Sequence, residues 1–334
     1  MVGAGSSGGW IINGPIALTC VLLLSLPLWI EEVGLYPYLG VEVVIWMIYA
    51  LGFNLLLGLS GLPSFGHGAY FGVGAYAFGL LQLHLVESLW LGLLAAILAA
   101  TLAGALVACF LSHRRGIYFA LMTIAFGQVF WFTAIKWHSV TGGEDGLLNI
   151  PRPAVTLGPV RLSLADNQAL FLFAFVVFVL VLLALWREVH SPFGKALAAI
   201  RQNERRAGFI GYNVWLYKWL VFTLSAAIAG LAGGMFAIAQ QSAYPDVMSL
   251  HASGFVVMMV LIGGGMVSFF GPLIGTAVFF VARDVLGAAT ETWVLWYGLL
   301  FMLVVLFKPE GIAGMLQELG ARRGRAPPRP APAE

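Results

Sequence analysis

The sequence predicts an all-α integral membrane protein: a polytopic helical bundle of about ten spanning helices, eight at the fewest, with one ordered basic segment outside the bilayer. Three observations predict it. Of 334 residues, 60% are hydrophobic and 10% charged, against about 25% charged in soluble domains; a soluble core has no use for that much apolar surface, and a bilayer does. The apolar residues gather into ten stretches, most close to the roughly 20 residues that a spanning helix needs. Lysine and arginine are divided unevenly among the connections, the bias that sets orientation.

Residues 1–14 are Gly- and Ser-rich and uncharged, and are expected to be mobile. The apolar run 15–30 lacks the basic start of a signal peptide, and only Glu31 and Glu32 follow it, so a retained first span is expected. Further apolar stretches cover 40–59, 65–84, 88–111, 117–135, 168–186, 214–239, 252–268, 271–287 and 292–307. Several are short or interrupted by glycine, which is how the count falls to eight or nine. The transmembrane domain is expected to occupy 15–312, with 136–167 as its longest outer loop and 187–218 as its inner segment. With ten spans and both termini in the cytoplasm, Arg114, Arg115, Arg187, Lys195, Arg201, Arg205, Arg206, Lys218, Lys308, Arg322, Arg323, Arg325 and Arg329 lie inside; Lys136, Arg152, Arg161 and Arg283 lie outside. Thirteen against four obeys the positive-inside rule. The Arg/Pro tail, 313–334, is expected to be disordered and to touch anionic lipid.

The 187–218 segment is the one sizeable block that wants water on most sides, with net charge +4. Ser191 before Pro192 reads as an N-cap followed by the favoured first helical residue, opening a helix to Arg201. Asn203 then caps a second helix, Glu204 to Ile210, with Glu204 where the helix dipole favours an anion and Gly211 as the left-handed stop. On charge alone this is a solvated positive-inside loop. The order of cap, acid, Arg205-Arg206, small residue, Gly208, Phe209-Ile210 and Gly211 points to a docking element.

Glycine is the second organising feature. Gly68 and Gly72, then Ala226, Gly230 and Gly234, then Gly271 and Gly275 repeat at four-residue spacing, which lets helix backbones approach closely in lipid. Gly61–Pro63 and Gly263–Gly265 read as helix interruptions, tolerated at depth only where protein or a cavity satisfies the freed backbone. His67, flanked by Ser64, Gly66 and Gly68, either faces a translocation path or ties helices together; Asn54 and Gln128 read as ties. Glu42 is explained by an interfacial position. Asp284 follows Arg283, and sequence neighbours do not face each other on a helix, so no pair is expected there.

In the outer loop, Thr141, Gly142, Gly143, Glu144, Asp145 and Gly146 predict a tight turn with exposed amides. No strand-to-helix context supports phosphate binding. Arg152 and Arg161 are placed either to meet acidic groups of a partner or within a plain structured connection.

The chemistry that is missing narrows the function. The one Gly-Lys pair, Gly194-Lys195, has Val189 where a Walker A motif needs glycine, and Ala196 where it needs Ser or Thr. No histidine precedes a glutamate, as a zincin helix requires. Cys20 and Cys109 match no metal or redox spacing and read as small packing residues. Net charge is +2, with the basic residues in loops and on no one face, so nucleic acid is not a partner. No catalytic residue, metal site or cofactor is expected. An ion-coupled secondary transporter would carry a mid-span acid, yet every carboxylate falls at or near a span end. A membrane enzyme would need a constellation, and only His67 stands alone.

SPFGKALAAIRQNERRAGFIGYNVWLYKWLVFTLSAAIAGLAGGMFA (191–237) resembles the coupling segment and following helix of LivM-type permeases, membrane subunits of ABC importers for branched-chain amino acids. GLPSFGHGAYFGVGAY (61–76), GIYFALMTIAFGQ (116–128), TGGEDGL (141–147) and VLIGGGMVSFFGPLIGTAV (260–278) resemble the family's blocks in its order, covering about 40–315. The resemblance implies a multi-pass protein of the bacterial inner membrane. It implies a second, LivH-type permease, two ATP-binding subunits and a periplasmic substrate-binding protein as partners, with ATP bound by those partners alone. It makes Arg201, Asn203, Glu204, Arg205, Arg206, Gly208, Phe209, Ile210 and Gly211 the ATPase-coupling residues. It places Thr141, Gly142, Gly143, Asp145 and Gly146 on the side where the binding protein docks, with Glu144 replacing the family's usual small residue. Urea and short amides remain alternative cargo.

Overall fold

The computed structural model describes residues 14–29, 38–157, 160–266, 268–308 and 310–324. The expected mobile start up to residue 13, the acidic pair Glu31 and Glu32, and the tail from 325 lie outside the described residues. In chain order the helices are α1 (Gly14–Trp29), α2 (Tyr38–Asn54), which runs into a π-helical turn at Leu55–Leu59, α3 (Gly68–His84), α4 (Leu89–Leu111), α5 (Gly116–Lys136) and the short α6 (His138–Thr141). A small antiparallel ribbon follows, β1 (Val155–Leu157) with β2 (Val160–Leu162), Thr156 facing Arg161. Then come α7 (Asn167–His190), α8 (Pro192–Gln202), α9 (Glu204–Phe209), α10 (Val214–Gln240), a 3₁₀ turn (Pro245–Met248), α11 (Leu250–Gly263), α12 (Gly271–Ala289), α13 (Trp293–Phe307) and α14 (Gly311–Gly324).

Each of the ten apolar stretches coincides with a helix. Six helices among the described residues are long and apolar enough to cross a bilayer: Tyr38–Leu59, Leu89–Leu111, Gly116–Lys136, Asn167–His190, Val214–Gln240 and Gly271–Ala289. Counting α13 and α14, bent by 48° at their break, as one span makes seven. The remaining apolar stretches form shorter helices, two of them shortened at the interruptions. The stretch from 65 becomes helical only at Gly68, and the stretch to 268 stops at Gly263, leaving helices of 17 and 14 residues.

The bundle is organised around α2, 89% of whose span is buried, against 28% for α5 and 33% for α4. It packs against α7, α10 and α12, and α10 packs in turn on α3 and α4. Lipid offers no hydrophobic drive for helix association, so close packing has to supply it. The predicted small-residue stripe does this. A Cβ built on Gly230 would lie 2.3 Å from Ala100 Cβ, and one on Gly104 would lie 2.4 Å from Ala226 Cβ. The opposite side of α4, with Leu98, Leu102 and Leu106 all more than half exposed, suits lipid.

The tail differs from expectation. It is helical as far as Gly324, because the buried Ala313 of α14 packs beside Gly264 at the end of α11, and Lys308 pairs with Glu318 at 3.3 Å.

Candidate functional site

The basic 187–218 segment folds as two capped helices because its local chemistry leaves little choice. Ser191 Oγ accepts from Gly194 N at 3.3 Å, with Pro192 in the first turn, and the chain closes α8 at Gln202. Asn203, extended at φ −160°, accepts at Oδ1 from Arg206 N at 3.0 Å and opens α9. Gly211, at φ +96°, occupies the left-handed region that releases the chain toward α10. The amphipathic α8 buries Gly194, Ala196, Leu197 and Ile200 against the bundle.

Two cations fix the pair of helices in place. Lys218, at the start of α10 and 3% exposed, lies 2.5 Å from Glu204 Oε1 and donates to the Arg114 carbonyl at 3.0 Å. A single buried ammonium thus joins α9, α10 and the α4–α5 turn. Arg201, at the end of α8, donates from Nη1 to the Gly58 carbonyl and, at 3.3 Å, to the Met266 carbonyl. Apart from the buried Ala207, the rest of α9 faces outward. Arg205, Arg206 and Gly208 are exposed, Phe209 is 88% exposed and Ile210 72%.

Lys218 is buried and Glu204 only half-buried; removing the ammonium takes away the ion pair and the donor to the Arg114 carbonyl together, at a cost of about 3 kcal/mol. Lys218→Met is therefore expected to speed amide exchange at Ala207 and Tyr212 by about two orders of magnitude, leaving the α3–α10 contact protected. Hydrogen exchange measured residue by residue checks this, and unchanged protection across α9 refutes the clamp.

Ser64, Gly66, His67 and Gly68 are brought together in the junction of α2, α5, α10 and α11. Phe65 N donates to Thr123 Oγ1 at 3.1 Å and Gly68 N to Ser253 Oγ at 3.0 Å. His67 is fully buried among the rings of Tyr49, Phe53, Tyr70 and Phe222, with centroids 5.2–6.0 Å away. In this conformation its ring links the α2–α3 connection to Ser225 of α10. Ser225 Oγ gives its one proton to the Gly52 carbonyl at 2.7 Å, so it accepts from His67 Nε2 at 2.9 Å, which makes the ring the Nε2–H tautomer.

At the opposite end of the bundle the Gly-rich turn differs from expectation. Gly142, Gly143 and Gly146 all have positive φ, and their amides turn inward, to the His138 carbonyl, Thr141 Oγ1 and the Gly143 carbonyl. Outward the turn presents Glu144 and Asp145, while Leu147 bridges to Ala243 at 2.7 and 2.9 Å. Arg152 is not free to meet a partner. It donates from Nε to Ile238 O at 3.0 Å and from Nη2 to Ala239 O at 2.6 Å, capping the last carbonyls of α10. The side chain of Arg161 lies outside the described residues.

Two contacts here escaped sequence reasoning. Arg283 grips Glu42 with both arms, Nη1 to Oε1 at 2.9 Å and Nη2 to Oε2 at 3.0 Å, tying α12 to α2. It also contacts Asp284 from Nε at 3.2 Å, which corrects the expectation of no pair. Burial, reinforced by Glu42 and Asp246 and opposed by Arg283, pushes the Tyr244 phenol up to about 12. No group of three or more His, Cys, Asp or Glu side chains able to hold a metal occurs among the described residues.

The family model described as "Branched-chain amino acid transport system / permease component" matches residues 38–307. The high-affinity branched-chain amino acid transport system permease protein LivM of Escherichia coli is 30% identical over 85% of this chain and 71% of its own length. BraD of Pseudomonas aeruginosa, of the same description, is 24% identical over 80% and 91%. LivH of Salmonella typhimurium is 24% identical over 80% and 90%. No solved structure matches.

Proposed function

The chain belongs to the family of branched-chain amino acid transport system permease components, and from that premise we propose that it is the transmembrane subunit of a binding-protein-dependent ABC importer for branched-chain amino acids. The observation that carries the reading is the α8–α9 element. It is capped at both helices, clamped to the bundle by Lys218 and Arg201, and presents two bare apolar side chains to water just after Arg205 and Arg206. A chain that lacks a nucleotide-binding motif has use for such an element if the motor is another polypeptide.

In this reading α9 sits in a cleft of an ATPase subunit, with Phe209 and Ile210 as anchors and Arg205 and Arg206 as charged contacts. Closure of two such ATPases displaces α8 and α9, and the displacement reaches α2 and α10 through the clamps. The basic end is then cytoplasmic, as are both termini. The six long helices are joined by α1, α3, α11 and α13 as shorter crossings, giving ten. A LivH-type permease supplies the other half of the path, and Glu144 and Asp145 face the periplasmic binding protein. The ATP is bound and hydrolysed by the partners.

The test is reconstitution of the chain in proteoliposomes with a homologous second permease, two ATPase subunits and the binding protein. Leucine uptake that requires both ATP and the binding protein is expected. Uptake that persists without either of them, or uptake of urea in place of leucine, overturns the reading.

A further inference from the structure

The helix turn just before the Gly61–Pro63 interruption meets the Gly263–Gly265 interruption in space. A Cβ built on Gly58, in the π-helical turn that ends α2, would lie 2.5 Å from the Gly265 carbonyl, just past the end of α11. Asn54 Oδ1 is wedged at the same point, 2.1 Å from a Cβ on Gly58 and 2.5 Å from one on Gly265, and has no hydrogen-bond partner among the described residues. The paired ends are therefore tightly packed but incompletely satisfied, and an unpartnered buried carbonyl costs about 1–3 kcal/mol.

Arg201 closes over both ends. Its Nη1 donates to Gly58 O and Met266 O, one carbonyl beside each interruption, and its stem packs on Gly61, where a Cβ would come within 3.0 Å of Cγ. A guanidinium placed on carbonyls at the ends of two helices also meets the negative ends of both dipoles. Beside it lies a cavity of about 370 Å³, lined among others by Ser60, Leu62, Arg115 and Asn203. Although Arg201 lies in the basic segment, its polar contacts run inward to the bundle, whereas Phe209 and Ile210 face outward.

We propose that Arg201 is the positioning residue that holds the two interrupted helices together at the basic end, and that its withdrawal lets the inner end of the path open. This rests on the importer reading above. Motion of α8 reaches the two helix ends through one guanidinium bridging two carbonyls, and that bridge is lost when α8 moves.

The experiment uses the full reconstituted importer, in a background with Cys20→Ala and Cys109→Ala, carrying Ser64→Cys as a buried reporter just beyond the first interruption. In Arg201→Ala, labelling of the reporter by a membrane-impermeant thiol reagent from the inner side is expected to accelerate about tenfold in the absence of nucleotide, one charge-assisted hydrogen bond's worth. Leucine imported per ATP hydrolysed is expected to fall by a similar factor. A merely structural loss lowers transport and hydrolysis together and leaves their ratio alone. Arg201→Lys keeps a cationic donor and is expected to recover much of the ratio. Unchanged labelling and an unchanged ratio, with the ATPase still bound, overturn this inference and leave the importer reading intact. Failure of the unaltered chain to bind an ATPase overturns both.

Discussion

Replacing Gly233 with leucine is expected to leave essentially no folded protein in the membrane. The reason is backbone geometry. A Cβ at position 233 of α10 would stand 1.8 Å from the carbonyl oxygen of Phe71 and 3.0 Å from the amide of Ala75, both in α3. Side chains can rotate away from an intruding methylene at a cost of about 1–3 kcal/mol, but neither contact here is a side chain. Relief requires α3 and α10 to separate, and Gly74 packs against the Gly230 backbone in the same seam, 2.3 Å from a built Cβ to the carbonyl. Separation would therefore strip the closest contact between two central helices in a solvent where packing supplies the cohesion. Gly298→Ala is the control. A Cβ there meets nothing within 4 Å, and alanine is a better helix former by about 1 kcal/mol. Size-exclusion profiles of detergent-extracted protein read both outcomes. A monodisperse Gly233→Leu peak at unaltered yield would falsify the packing account.

The contrast between these glycines marks what the sequence can convey. Small residues four apart announced that α10 packs closely, and the stripe Ala226, Gly230 and Gly234 does face α4. Gly233 lies off that stripe, and its contact with Phe71 becomes visible only when α3 is set beside α10. Capping followed the same rule. Ser191 and Asn203 were readable because a cap is settled within three residues by the chain's own amides. Arg283 and Glu42, 241 residues apart, carry no local signal of their bidentate pairing. Nor does Arg152, whose carbonyl partners sit at the far end of another helix. Lys218 was legible as one more inner-side charge; its burial and its grip on Glu204 are products of the fold. Interruptions at glycine were visible, but not their cost in helix length at α3 and α11.

Phe209→Asp combined with Ile210→Asp is expected to abolish ATP-driven uptake without lowering the yield of folded protein. Both side chains are large, apolar and mostly exposed, at 88% and 72%, so their removal takes no packing from the chain itself. Asn203 and Lys218 still hold α9 in place. In a protein interface an apolar anchor of this kind is worth about 2 kcal/mol or more, and two adjacent anchors together weaken binding by at least about a hundredfold. The carboxylates add a desolvation penalty to any surviving contact. The expected result is loss of ATPase subunits on co-purification and loss of uptake, with melting and size-exclusion behaviour unaltered. The charge exchange Glu204→Arg with Arg205→Glu is a poorer probe, since Glu204 is spent on Lys218 and its reversal dismantles the clamp along with any docking contact. The apolar pair separates the two, because it touches only what lies outside the chain. Retained ATPase binding and normal uptake in the double aspartate variant would place the motor's grip elsewhere on the basic face, on Arg187 or Lys195 of the same segment, and would leave the exposed tip of α9 without a role.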